Sequence, residues 1–180
     1  MADKTESGGT SVSNPNQNNW LTEDATFARM KDLQTCDITG FNSLSFPSGA
    51  VIVGIEVRVL GYEGTAQPNW DASGNYWISV SNDGGTTFSS KKGTGGNWGT
   101  NAGTAQTQTA GGSTDLWGMT WNATTAAAIQ TRFGWSGNPG IAVFADYVSV
   151  RIHYNVPKNY NKSEITSGTV KFTSGNIVFK

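Results

Sequence analysis

Charge is scarce in this chain of 180 residues: Asp, Glu, Lys and Arg together make up 14%, and the formal net charge is −1. With a pI near 5.7 and no clustered basic stretch, the electrostatic footprint of a nucleic-acid binder is absent. Cys36 is the single cysteine. That excludes an intramolecular disulfide and a thiolate metal site, and leaves a small buried side chain as the expectation. His153 is the single histidine, so there is no second imidazole to share a metal. No apolar run approaches the roughly 18 residues of a membrane helix. The opening Met-Ala-Asp-Lys-Thr-Glu has no apolar stretch of the secretory type, so synthesis in a cytoplasm is expected.

What is present is glycine, 23 residues, and aromatics at 11%, on a background of Thr, Ser and Asn. This is the composition of an all-β chain with aromatic glue. The period of two is clearest from Ile55, where Ile55, Val57 and Val59 alternate with Glu56 and Arg58, the pattern of a strand with one dry and one wet face. A second long signal runs from Ile141 to Tyr154, and it is expected to pair centrally with the first. A third covers Tyr76–Ser81.

Residues 1–19 are polar and too poor in apolar surface to offset the entropy of ordering, and they read as a flexible arm. Residues 20–156 then form the domain, an antiparallel β-sandwich, and 157–180 a linker with a C-terminal β-hairpin. A weak edge strand is expected between Trp20 and Met30, a second strand over Thr35–Phe46 with a bulge at Gly40, and a short aromatic strand over Asp115–Trp121. Helical promise is confined to Thr124–Arg132. Gly93–Gly112, rich in Gly, Thr, Ala, Asn and Gln, reads as a long loop making contacts outside the domain. With Ser174-Gly175 as a two-residue turn, Phe172 faces Ile177 and Val170 faces Phe179. An isolated hairpin is marginal in water. This apolar face therefore needs cover, from its own sandwich or a neighbouring subunit, and Val170, Phe172, Ile177 and Phe179 are the expected interface.

No catalytic residue, cofactor site or metal site emerges. His153 falls on the polar face of a strand, with no Ser-x-Gly elbow and no Cys partner to serve. The acids are scattered singly, and the Asp71–Asn75 and Asn82–Asp83 turns lack the oxygen density that calcium requires. Ser81-Asn-Asp-Gly-Gly-Thr-Thr-Phe88 resembles the Asp-box of sialidases, a structural hairpin that recurs once per propeller blade. Here it occurs once, and the reading is a hairpin, not a sialidase.

Five segments taken together, Trp20 with Asp24–Ala28, Leu44–Val59, Ser79–Phe88, Thr114–Trp121 and Ala145–Tyr154, resemble a β-sandwich module of tailed-phage virion proteins. The resemblance implies a jelly-roll-like fold and a non-catalytic structural role, as capsid decoration or as a head-fibre or tail-associated protein. It implies a virion location after synthesis in the host cytoplasm. The implied partners are major capsid or tail proteins and further copies of the chain, as a homo-oligomer with three-fold packing by analogy, without nucleic acid or membrane. The alternative is a carbohydrate-binding or receptor-binding module for a host glycan. For that reading Trp70 and Trp98, both in loops, are the sugar platforms.

Overall fold

The alternating segments do form strands. The computed structural model describes residues 3–9, 11–12, 23, 25, 27–30, 35–42, 44–63, 76–93, 104–135, 143–157, 170–173 and 176–179. In chain order the strands are β1 (Asp3–Gly8), β2 (Ser11–Val12), β3 (Ala28–Met30), β4 (Thr35–Thr39), β5 (Val51–Glu63), β6 (Tyr76–Ser81), β7 (Gln106–Gly112), β8 (Gln130–Trp135), β9 (Val143–Asn155), β10 (Val170–Thr173) and β11 (Asn176–Phe179). One helix, α1 (Ala123–Ala127), precedes β8. A five-stranded sheet runs β1-β9-β5-β7, with β3 also on β9, and a four-stranded sheet runs β2-β4-β8-β6. The strand pairs within these sheets are antiparallel. The all-β sandwich expected from the sequence is the observed architecture.

The two long signals are the central pair, with Val57 opposite Val150 and Val59 opposite Val148. Their inward side chains Ile55, Val57, Val59, Val148, Val150 and Ile152 are buried in one core with Cys36, Ile38, Ile78, Val80 and Phe133 of the other sheet. Each such aliphatic residue contributes about 1.5–3 kcal/mol by leaving water. That burial gives a chain with only 14% charged residues its definite interior. Cys36 is fully buried, as its isolation suggested. Asn122 caps α1, its side chain accepting from the Thr125 amide while the Thr125 hydroxyl accepts from the Asn122 amide, a reciprocal arrangement that suits a helix of a single turn.

Several expectations are corrected. The arm assigned to residues 1–19 contains β1, which pairs along β9 from Asp3–Tyr154 to Gly8–Ser149, and β2, which pairs with β4. An edge strand is held by main-chain bonds, so Asp-Lys-Thr-Glu-Ser-Gly needs no apolar alternation to serve as one. The same reason explains β7 inside the supposed Gly93–Gly112 loop. It pairs with β5 and buries only Ala110. The strand at Thr35 ends at Thr39 instead of bulging at Gly40, and Phe41 and Leu44 enter the core from the turn that follows. Asp115–Trp121 is a tight turn, not a strand, and β8 begins at Gln130, inside the Thr124–Arg132 stretch of helical promise.

Both edges of the sandwich are closed. At one, the chain passes from β1 to β2 through Gly9, whose amide donates to the Val148 carbonyl at 3.2 Å. A Cβ there would stand 2.1 Å from the Ile38 side chain, so only glycine allows so close a crossing. At the other, Lys92, bridged to β6 through Ile78, forms an ion pair with Asp115. The main chain of Asp115 in turn accepts from the Ile55 amide of β5 at 2.9 Å. Burial raises the Asp115 carboxyl, but bonds from Lys92 and the Trp117 amide, with the Lys92 charge, outweigh it and leave the group below its ordinary value. Trp117 completes this edge in a left-handed conformation, φ 58°, with its indole Nε1–H donating to the Ile55 carbonyl at 3.0 Å.

Candidate functional site

Alternation gives the five-stranded sheet a second face, turned away from the core. Cross-strand register orders it in rows: His153 beside Lys4; Arg151 between Glu6 and Glu56; Ser149 between Gly8 and Arg58; Tyr147 beside Leu60; Phe144 between Arg29 and Tyr62. β7 extends two of these rows, placing Thr109 beside Arg58 and Thr107 beside Leu60, both exposed. Same-face rows on a strand are about 7 Å apart.

At one end of this face the groups are ionic. Arg151 Nη1 donates to Glu56 Oε2 at 3.3 Å, and Glu56 Oε1 lies 2.9 Å from His153 Nε2. One carboxylate thus serves two partners, all three largely shielded from solvent. His153 was expected to be an exposed strand residue and is instead buried at 8% exposure. The cause is Glu56, which alternation places on the same wet face of the neighbouring strand. Ser149 and His153 occupy the same strand four residues apart, about 13 Å along it, so they cannot act as nucleophile and base.

At the other end the groups are aromatic. Tyr62 and Phe144 stack with centroids 4.7 Å apart and an interplanar angle of 3°, and Phe27 meets Tyr62 edge-on at 4.8 Å. All three are half-buried. The rows shift here because β9 carries an extra residue between Leu60 and Gly61 of β5, a bulge that turns two successive residues of β9 toward one of its partner. The carboxylate of Asp146, at 1% exposure, accepts the Ala25 amide at 3.1 Å. Sequence reasoning missed this end of the face. The available signal was the continuation of the β5 alternation beyond Val59, which sets Leu60 and Tyr62 on the wet side.

The outer face of the four-stranded sheet is covered differently. Lys91 Nζ lies 4.2 Å above the Trp77 ring, and Arg132, bound to both oxygens of Asp37 at 2.6 and 2.7 Å, lies 3.8 Å from the Phe88 ring centroid. The Asp83 turn brings Phe88 there. The Ser81 hydroxyl donates to Asp83 Oδ1 and accepts from the Gly85 amide, while Asp83 accepts from the amides of Thr86 and Thr87 and from the Thr87 hydroxyl. The expected hairpin is therefore a wider turn, closed by Ser89 and Lys92 returning to Val80 and Ile78.

Every Asp83 oxygen is engaged by a donor. The Thr87 hydroxyl, followed by the Thr87 amide and the Ser81 hydroxyl, holds the carboxyl down from 3.8 to about 2. A depressed folded pKa means that the group's contribution to stability is complete above about pH 4 and is lost as pH falls through about 2. Melting temperatures measured across that window are expected to fall for the natural chain, and the Asp83→Asn variant to lose this component of the acid limb.

Of the residues singled out from the sequence, Trp70 and Trp98 lie outside the described residues, as does the Asp71–Asn75 turn. Trp77, Trp117 and Trp121 are buried. Val170 pairs with Phe179 and Phe172 with Ile177, in the register that a Ser174-Gly175 turn required, while their side chains lie outside the description. Among the described residues no three His, Cys, Asp or Glu side chains form a group able to hold a metal.

No family model and no curated protein matches the chain. Among solved structures it is similar to chitosan-binding module 1 of a chitosanase/glucanase from Paenibacillus sp. IK-5, at 16% identity and a TM-score of 0.35, over 83% of this chain and 93% of that one. It is also similar to CpGH89CBM32-5 from Clostridium perfringens, solved in complex with GalNAc-β-1,3-galactose, at 16% identity and a TM-score of 0.34, over 82% and 93% of the two chains. Both are carbohydrate-binding modules, and on that finding the expectation of a phage structural protein is withdrawn. The segments that resembled virion modules have a plainer explanation. Much of Leu44–Val59, Ser79–Phe88 and Ala145–Tyr154 is core strand, which any two-sheet sandwich requires whatever its role.

Proposed function

We propose that the chain is a non-catalytic carbohydrate-binding β-sandwich, and that the outer face of its five-stranded sheet is the binding surface. The observation carrying this is the passage, on one face of the sheet, from the Tyr62–Phe144–Phe27 cluster through Tyr147 and Arg58 to the Glu56 ion pairs. Sugars present apolar ring faces and dense hydroxyls together. Aromatic side chains cover the former, and guanidinium, carboxylate and hydroxyl groups fix the latter by directional bonds.

The ion pairs have a further use. Arg151 and Glu56 fix each other across two strands, so less side-chain entropy remains to be lost when a ligand is bound. Screening against an array of immobilised oligosaccharides is expected to find a saturable ligand, and Tyr62→Ala and Arg58→Ala are each expected to weaken it by about tenfold or more. Absence of any saturable glycan, or undiminished affinity in both folded variants, overturns the assignment.

A further inference from the structure

We infer that β7 is a dimer interface, at which two copies of the chain join their five-stranded sheets edge to edge, antiparallel, about a two-fold axis at Gln108. β7 ends the sheet order β1-β9-β5-β7, and two bonds fix which of its main-chain groups look outward. The Ile55 amide of β5 donates to the Asp115 carbonyl, just past the end of β7, and the Val148 carbonyl of β9 accepts from the Gly9 amide on the far side of the sheet. Main-chain groups alternate in direction along a strand. Val148 is turned away from β5, so Tyr147 and Ser149 are turned towards it, where they meet Leu60 and Arg58. That leaves Val57 and Val59 turned to β7, as Ile55 is, and opposite them stand Ala110 and Gln108. The intervening Thr107 and Thr109 therefore direct their amides and carbonyls away from the sheet. Both residues are exposed.

The other strand edges are guarded. β1 carries Asp3, Lys4 and Glu6, while β2 and β3 are two and three residues long. The edge of β6 is engaged, since Ile78 exchanges main-chain bonds with Lys92 and the Val80 carbonyl accepts from the Ser89 amide. Charge, shortness and cover are the ordinary defences of an edge strand. β7 has none of them: its seven residues, Gln-Thr-Gln-Thr-Ala-Gly-Gly, include no charge and no proline, and the ion pair of Lys92 with Asp115 lies past its end. The partner that the strand specifies is its own copy. With the axis at Gln108, Thr107 of each copy stands opposite Thr109 of the other, so outward groups meet outward groups and each pair exchanges two main-chain bonds. No like charges are brought together. An unrelated peptide would draw its specificity from side-chain pockets beside the edge, whereas the two-fold pairing needs only the register. The pairing is independent of what the outer face binds, and in the dimer the two outer faces run into one another through the Thr107 and Thr109 rows.

Sedimentation of the full chain over a wide range of concentration is expected to show a reversible dimer. Thr109→Lys places a charge on the edge and is expected to weaken association about tenfold or more. Thr109→Pro removes an outward amide without touching the ladder to β5, and is expected to abolish the dimer. Lys4→Pro makes the same change on the edge of β1, where the Lys4 amide also points outward because Thr5 and Ser7 turn theirs to Ile152 and Val150, and is expected to leave the dimer as it is. Gln108→Cys tests the axis. Residues opposite each other between hydrogen-bonded pairs stand about 4.5 Å apart at Cα, within reach of a disulfide, so mild oxidation is expected to join two copies of a chain whose natural Cys36 is buried. Melting curves establish that each variant is folded, and if Thr109→Pro is not, Thr109→Lys alone decides. A chain that is monomeric at every concentration, a dimer that survives the folded Thr109 variants, or one that Gln108→Cys fails to cross-link overturns the inference.

Discussion

Removing residues 1–12 is expected to lower Tm by about 10 °C and to make the protein self-associate. β1 lines β9 over six residue pairs, and at about 1 kcal/mol net for each main-chain bond its loss costs about 3 kcal/mol or more. The second consequence is geometric. Without β1, the edge of β9 from Ser149 to Tyr154 is bare, and a long unpaired edge is a template for another chain. Gly9 and β2 go with it, uncovering Ile38 and Phe41, against which Gly9 packs. Thermal denaturation together with sedimentation at several concentrations reads both effects. A shortened chain whose association state and melting are both unchanged would mean that β1 contributes nothing to the fold.

Trp117→Ala is the substitution expected to do most damage from a single side chain, about 3–5 kcal/mol. Its indole is buried, bonded to the Ile55 carbonyl, placed 4.9 Å beneath the Lys92 ammonium, and fitted against Gly111, where a Cβ would stand 2.8 Å from Nε1. Its left-handed backbone, unusual for an aromatic residue, is held by the bond from its amide to Asp115 Oδ1 at 2.8 Å. Removing the ring therefore opens a cavity and frees the turn that joins the two sheets. Trp117→Phe keeps most of the volume and loses the N–H bond, so a smaller loss of about 1 kcal/mol is expected. Urea denaturation of the two variants separates the contributions. A change below 1 kcal/mol in Trp117→Ala would show that this edge is closed without the indole.

The interior was legible because burial writes itself into alternation: β5 and β9 could be read from Ile55 and Val150 and their neighbours at every second position, whereas β6 alternates in sequence but is buried at all six positions. The C-terminal hairpin was legible from turn chemistry alone, down to Phe172 opposite Ile177. What escaped were elements held by main-chain pairing without an apolar face, namely Asp3–Gly8 and Gln106–Gly112. The Asp115–Trp121 turn escaped because its aromatics imitate a strand while serving as caps. The platform was half legible. Glu56, Arg58 and Arg151 showed as the wet face of two strands, but that Phe27, Phe144 and Tyr62 meet there depends on a bulge and on a third strand, β3, arriving at the same edge. The pairing of His153 with Glu56 likewise depends on register between segments far apart in sequence. The tryptophans drew attention to loops, whereas Trp117 and Trp121 serve the interior and Trp77 lies under Lys91 on the outer face of the second sheet.

β9 bears on how the chain reaches this state. Its one side holds β5 and its other side holds β1 and β3, so Asp3 waits for Tyr154 and Ala28 for Ala145. During synthesis the first strand emerges long before the partner that satisfies it, and the five-stranded sheet cannot assemble until residues near 155 are free. Pairings this remote in sequence place the fold among those limited by loop closure, which fold in milliseconds to seconds. The polarity of Asp3–Gly8 acquires a second meaning in that interval: a waiting strand without apolar side chains gives nascent neighbours little to adhere to.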